Sequence, residues 1–526
     1  MLILSTQEQI STYQLKLPLE IGVKIDPKDP VVTFKEVLEG VNLKQFLIKP
    51  EKDNRGRDGY DPEVLLKIVL FAYMNNVRST RKIEALCRND IRFMYLSEEI
   101  TPSHMTIDNF INQYLLNNVE DIFYEITKYI IRKQNIDIST VYVDGTKIEA
   151  FPNKYTWVWK KACITSRDRK FKYLKEYFKQ QNNQTIIPGI EFPVQDSYSI
   201  EELEEIIDEL YKRMGTEGIK YVNGKGKRKS KIQRVYDTVY KATEKLKEYA
   251  KKIEKCGEGR NSYSKTDKDA TFMRMKTDYM GNTALLPAYN WHLETAGEII
   301  INGLTSQNAS DNKSFIPLME KHLERYGEYP KAAVADAGYG TLEVYDYCTR
   351  NGIGKYIKFP SWQRETHDKK FRDNPFRSKN FRIDDQGHPV CPNGQRFIKV
   401  NERAIKGNVD HRTEEMYECE NCEGCPFRDK CFKGQGNRRI NINRTLSTYH
   451  EEVIRLLETE EGIQLRVERT TIAEGTFGVI KQDYSFRRLT RVSLKKVNLE
   501  FYLIMIGYNL QKYHNLKYRI KPEQLN

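Results

Sequence analysis

Between Lys331 and Gly340 the chain runs Lys-Ala-Ala-Val-Ala-Asp-Ala-Gly-Tyr-Gly, and few folds accommodate that string. Residues 332–335 are small and apolar without alternation, the pattern of a strand covered on both faces. Asp336 ends the run, and Gly338 and Gly340 permit the sharp turn that has to follow. A strand buried on both faces requires a sheet with flanking helices, and open sheets of that kind carry their chemistry just past the carboxyl ends of their strands. Asp336 is a site candidate on that ground; an aspartate that opens a turn or caps the next helix would look the same.

Two further acids stand in comparable settings. In Thr140-Val-Tyr-Val-Asp144-Gly-Thr-Lys-Ile-Glu149, Val141 and Val143 alternate with Tyr142 and Asp144, and the β-branched content predicts a strand. An aspartate there is costly to bury unless it is paired, hydrogen-bonded or bound to a cation, although Gly145 also fits an exposed strand end. The third is Glu474, in Arg469-Thr-Thr-Ile-Ala-Glu474-Gly-Thr-Phe-Gly-Val-Ile-Lys481. On a helix Glu474 and Lys481 share a face, but Gly475 and Gly478 weaken that helix and call for a packing or close-approach reason. Ala284–His292 and Glu298–Asn302 predict an antiparallel pair turning near Gly297, Lys313–Arg325 a helix, and Gly354–Phe359 a last short strand. The sum is an α/β fold, a mixed five-stranded sheet with flanking helices, over which the apolar helix from Leu494 to Tyr513 would lie.

Residues 61–130 have helical periodicity. Asp61-Pro62 is a helix start, Ser79 or Thr80 caps a second helix and Ser103 a third. Short helices with tight joints suit a helix-turn-helix module, with Arg78, Arg81, Lys82, Arg88 and Arg92 near phosphates, and suit a plain bundle equally. From Lys160 to about Lys276 the composition turns lysine-rich. Ile232, Val235, Val239, Ala242, Leu246, Tyr249 and Ile253 form a heptad seam, and Leu203, Ile206, Ile207 and Leu210 a partner, predicting an inserted helical hairpin. Its tip, Lys220–Arg234, holds seven basic residues and no acidic one, a DNA contact or a solvated loop.

Charge points to the partner. Lys and Arg number 86 against 73 Asp and Glu, a formal net charge of +13, with 33 Tyr interleaved. A basic, aromatic-rich chain favours a polyanion such as nucleic acid. No apolar run approaches the roughly 20 residues of a membrane span, and no signal-peptide pattern opens the chain, so a soluble cytoplasmic protein is expected. Five of the nine cysteines fall at Cys391, Cys419, Cys422, Cys425 and Cys431, in a polar stretch from 361 to 445. Thiols so spaced suit a four-ligand zinc site; an iron–sulfur cluster and unliganded thiols are the alternatives.

Asp144-Gly-Thr-Lys-Ile-Glu-Ala with Asn153-Lys-Tyr-Thr-Trp-Val-Trp-Lys160, Ala335-Asp336-Ala-Gly-Tyr339, Glu474-x6-Lys481 around Phe477-Gly478, and Tyr508-Asn509-Leu510 together resemble insertion-sequence transposases of the DDE class. The resemblance runs from about residue 40 to 513. It implies a ribonuclease-H-like catalytic domain in three pieces, 136–160, 277–360 and 446–515, with an N-terminal helical DNA-binding domain (1–135), and the cysteine cluster is similar to one in a subset of members. The helical hairpin insertion (161–276) and the cysteine-rich, zinc-binding insertion (361–445) read above complete the expected domains. It further implies that Asp144, Asp336 and Glu474 hold two Mg²⁺ or Mn²⁺ ions for end cleavage and strand transfer. Lys481 and Arg469 would contact phosphates near the scissile bond, with Arg487, Arg488, Arg78, Arg81 and Lys82 as further DNA contacts. Double-stranded DNA, both terminal inverted repeats and target, would be the partner, bound by a homodimer. A nuclease of the same fold without strand transfer, or a non-catalytic zinc-stapled DNA-binding protein, would share much of this sequence.

Overall fold

A computed structural model describes residues 25–47, 59–224, 227–275, 284–404 and 413–519. Its centre is a mixed sheet of β1 (Thr140–Glu149), β2 (Thr271–Arg274), β3 (Leu285–Ala296), β4 (Ile299–Ser306), β5 (Ala332–Ala335) and β6 (Gly354–Ile357). Across the sheet the order is β2-β3-β1-β5-β6, with β4 also paired to β3. β3 is long enough to pair β2 with residues 285–288 and β4 with residues 290–296. Gly297, at φ +56°, makes the turn into β4. β1 is antiparallel to β3 and parallel to β5, and β5 is parallel to β6.

The sheet therefore has six strands rather than the expected five. The addition, β2, has four residues beside a lysine-rich stretch, too short a window for alternation to register, and it returns to the sheet from within the segment grouped with the helical insertion. That insertion holds three helices rather than a hairpin. Lys160–Asn183 joins Ile200–Thr216 and Lys231–Cys256 around Leu174, Phe178, Leu203, Leu210, Val239 and Leu246, a core separate from that of the sheet. Its inward positions are sparse among lysines, which masks the period in sequence. The caps at the other end of the chain are simpler: Asp61 caps Pro62–Met74 and Ser103 caps His104–Phe110, with Thr80–Asn89 and a further short helix, Ile91–Leu96, between them.

The closing helix, Leu494–Lys517, lies between the sheet and the N-terminal helices, and every residue from Phe501 to Leu510 is buried. Phe501 packs on Trp291 of β3 with ring centroids 4.3 Å apart. On the opposite side Gly507 lets Pro62–Met74 approach; a β-carbon there would stand 2.5 Å from the Tyr73 carbonyl oxygen. Burying Asn509 within this helix requires partners, and its carboxamide accepts from the Ile300 N–H (3.0 Å) and donates to the Ile300 carbonyl (2.7 Å), as a neighbouring strand would. One continuous apolar core thus joins the N-terminal helices, closing helix and sheet. The cysteine-bearing region carries its own antiparallel sheet, Phe397–Ala404, Thr413–Cys419 and Arg439–Ile442, over a small core of Phe381, Phe397, Tyr417 and Ile440. Among the described residues no helix is long and apolar enough to cross a membrane.

Candidate active site

The parallel register of β1 and β5 ends with Val143 opposite Ala335. One residue further on, β5 has given way to Asp336 while β1 continues through Asp144 against β3, the spacing of neighbouring strands being about 4.8 Å. Each carboxylate is oriented by a nearby glycine amide: Gly145 N–H donates to Asp144 Oδ1 and Gly338 N–H to Asp336 Oδ1, both at 2.9 Å. Gly145 has no room for a side chain, because a β-carbon would stand 2.8 Å from His292 Nδ1 and 2.9 Å from the Tyr339 hydroxyl. Those two groups hydrogen-bond to each other at 2.7 Å and form a buried floor beside the aspartates. Burial pushes His292 down to about 3, so the imidazole is neutral. Burial, then the charges of Asp311, Asp144 and Asp336, hold the Tyr339 phenol well above its ordinary value.

Glu474 comes from a continuous helical run. Glu460–Arg469 is α-helical, Thr470–Glu474 a π-turn, Gly475–Gly478 α-helical and Val479–Asp483 a second π-turn. Ala473, Phe477 and Ile480 are buried, which leaves Glu474 at the margin of that face. π-turns inside helices recur at functional sites. Arg469 ties the acids together: Nη1 is 3.9 Å from Asp144 Oδ1 and Nη2 is 3.5 Å from Glu474 Oε1. Its side chain is 13 % exposed against 56 % for Glu474, so the guanidinium is shielded while the glutamate reaches solvent.

Two residues outside the sequence-derived set stand here. Lys358, just beyond β6, has its ammonium lowered by burial and then by Arg469 and Arg466, with Asp336 and Glu474 opposing. Asp311, preceding the helix Asn312–Tyr326, accepts from Asn290 Nδ2 at 2.6 Å. Its Oδ2 lies 3.1 Å from where a Gly338 β-carbon would be, and Asp336 Oδ1 lies 3.0 Å from the same point. Neither residue sits in a motif; Lys358 ends a strand and Asp311 resembles an ordinary helix start, so local sequence carries no signal for them.

The basic candidates spread outward from the acids. Lys481 donates to the Thr146 hydroxyl on β1. Arg488 donates to the carbonyls of Ala150, Phe151 and Pro152 and pairs with Glu149 at 3.5 Å, and Arg487 is exposed. Arg78 serves as a joint, donating to the Tyr484 carbonyl at 3.2 Å with its guanidinium 4.7 Å from the Phe486 ring centre. Arg81 and Lys82 are exposed on Thr80–Asn89, whereas Arg88 and Arg92 are engaged by Glu84 and Asp90.

Among the described residues no three His, Cys, Asp or Glu side chains stand close enough to share a metal ion. At the acids, the group between Asp144 and Glu474 is the Arg469 guanidinium, and the oxygen-only donor set suits a hard divalent cation in the place of that positive charge. The cysteines are free thiols. Burial, then Cys422, pushes the Cys419 thiol up to about 12, with Cys391 also nearby. Arg438 donates through its backbone to Cys422 Sγ (3.4 Å) and through Nη1 to Cys431 Sγ (2.9 Å).

The fold is a mixed α/β sheet with Asp144 and Asp336 on adjacent parallel strands, and two family models match the chain. A family model for a transposase DDE domain matches residues 390–514, which include Glu474, Arg469, Lys481 and all but the last three residues of the closing helix. A second, for a transposase domain (DUF772), matches residues 19–113, covering the N-terminal helices. The two matches support an insertion-sequence transposase of the DDE class. Comparison with curated proteins and with solved structures gives no match.

Proposed function

We propose that the chain catalyses metal-dependent cleavage at the ends of an insertion sequence and transfer of those ends to target DNA, on a ribonuclease-H-like catalytic domain. The observation that carries this reading is the placing of Asp144 within β1 and Asp336 just past the end of the adjacent parallel β5, with Arg469 joining Asp144 to Glu474. Asp144, Asp336 and Glu474 would hold Mg²⁺ or Mn²⁺, as their oxygen donors suit. Two such ions, when bound, activate water or a 3′-hydroxyl and stabilise the leaving oxygen of a phosphodiester.

The chain's own groups do the rest. The Tyr339–His292 pair is neutral and buried, so it keeps water away from one side of the aspartates without competing for their charge. Arg469 and Lys358 supply positive charge toward the phosphate that enters between the acids, and Lys481, Arg487 and Arg488 hold the strand beyond it. Arg81 and Lys82, on the outer face of the N-terminal helices, would bind the terminal inverted repeats, with two chains pairing two ends. Zinc on four of Cys391, Cys419, Cys422, Cys425 and Cys431 is the finer part of the proposal; it rests on the spacing of the thiols in the sequence, and metal analysis of the purified protein checks it.

The test is incubation of labelled duplex carrying the gene's own flanking sequence with Mg²⁺ or Mn²⁺, comparing wild type with Glu474→Ala. Cuts at defined ends and joined products, both absent from the variant, are expected. Cleavage without joined product would reduce the reading to a nuclease, and binding without cleavage in either protein would overturn it.

A further inference from the structure

The acids and basic residues leave one motif without a role, the aromatic string that follows β1. Phe151, Tyr155 and Trp157 are 50 %, 68 % and 45 % exposed, although each would ordinarily be turned inward. They are not on a loose loop. Asn153 Oδ1 accepts from the Tyr155 N–H at 3.1 Å, the Thr156 and Ser264 hydroxyls are 2.7 Å apart, and Trp157–Trp159 pairs antiparallel with Ser262–Ser264. Tyr155 and Trp157 lie 5.9 Å apart by ring centroids, and the buried Phe272 meets Trp157 from behind at 6.4 Å. The exposed Tyr155–Trp157 pair is rigidly backed, and with Phe151 exposed four residues before it the segment is a docking surface rather than scattered surface apolarity.

Charge specifies the occupant. From 150 to 161 the charged residues are Lys154, Lys160 and Lys161, with no acid among them. Lys154 sits 5.2 Å from the Tyr155 ring centre, and Arg488 grips the carbonyls of Ala150, Phe151 and Pro152 at the foot of the cluster. Arg469 stands at Asp144 and Lys481 at Thr146 on one face of β1, and Arg488 stands at the end of the strand by Glu149 and the carbonyls of Ala150, Phe151 and Pro152, so cations occur from the acids to the rings. From Asp144 to Glu149 a strand advances roughly 17 Å, about the rise of five stacked nucleotides. Cations along a backbone path that ends in ring faces are what single-stranded nucleic acid requires, and paired bases inside a duplex have no free face to offer.

We propose that Phe151, Tyr155 and Trp157 form a stacking platform for unpaired bases of the DNA strand that runs along β1 away from the acids. This rests on the reading that the chain acts on DNA, but not on cleavage. Of the four tryptophans, Trp291 and Trp362 are buried and Trp159 partly so, which leaves Trp157 as the exposed reporter. The experiment titrates the full chain with a short single-stranded oligothymidine, following tryptophan emission and the anisotropy of the labelled oligonucleotide, in wild type and in a Tyr155→Ala/Trp157→Ala variant whose thermal unfolding is checked in parallel.

Quenching of wild-type emission, stronger than with a duplex of equal length, and at least about tenfold weaker single-strand binding by the variant are expected. Equal binding by both proteins would overturn the platform. So would sedimentation showing a DNA-free dimer in wild type that the variant loses, since the rings would then belong to a second copy of the chain. Quenching in a protein that never cleaves DNA would keep the platform and remove only the catalytic reading.

Discussion

At the scale of single residues, Arg469 is the most informative side chain in the site. It is shielded from solvent between two carboxylates, Asp144 on β1 more than 300 positions before it and Glu474 five residues after it, and its charge favours both acids in their ionised form. A divalent ion at the same acids has to compete with that guanidinium. Arg469→Ala is therefore expected to bind Mn²⁺ several-fold more tightly in the absence of DNA, measured by electron paramagnetic resonance titration, while its cleavage of DNA falls. Unchanged or weaker Mn²⁺ binding would mean that the arginine organises the acids rather than competing for them. Tyr339 shows the same reliance on context: its hydroxyl is useful only because Gly145 has no side chain to exclude it.

Among the elements, the helix that carries Glu474 is built against its own stability. Glycine costs about 1 kcal/mol relative to alanine within a helix, and Gly475 and Gly478 bound the short turn that directly follows the acid. Neither has a packing reason among the described residues, since a β-carbon on either would meet nothing within 4 Å. The ground beside Glu474 is left open for something that arrives. Gly475→Ala should raise the stability of the DNA-free protein by about 0.5–1 kcal/mol in denaturant unfolding and lower the rate of DNA cleavage. A variant that is stabilised and fully active would show that the open ground is not used.

For the whole molecule, the closing helix decides how the parts hold together, because it is enclosed by the sheet on one side and the N-terminal helices on the other. Its last turns are tied to the β3–β4 corner, where Glu298 receives Arg519 at 2.6 Å and Lys512 at 2.9 Å. The Arg519 hydrogen bond, followed by that of Lys512 against the cost of burial, lowers the Glu298 carboxyl from 4.5 to about 2. A depressed carboxylate contributes stability that is present above its unfolded value and lost as the pH falls through the folded one. The difference in Tm between wild type and Glu298→Gln should accordingly shrink between pH 4.5 and pH 2, as read by thermal unfolding at stepped pH. A difference that stays constant across that window would exclude the linkage.

What the sequence determined by itself was local. Alternation in β1, the unbroken apolar run of β5, the caps at Asp61 and Ser103 and the apolar closing helix are set by neighbours within a few residues, and each element formed where those signals lay. Asp336 was legible because a strand end is where a buried run has to release a polar side chain, and Asp144 because a carboxylate within a β-branched strand is costly to bury without a partner. The tertiary structure alone decided the rest: the place of β2, the third helix of the insertion, the register that sets Asp144 beside Asp336, Arg469 between Asp144 and Glu474, and the arrival of Lys358 and Asp311. These depend on which strand pairs with which and on charges brought together by burial of a shared core, and no window of sequence contains both partners.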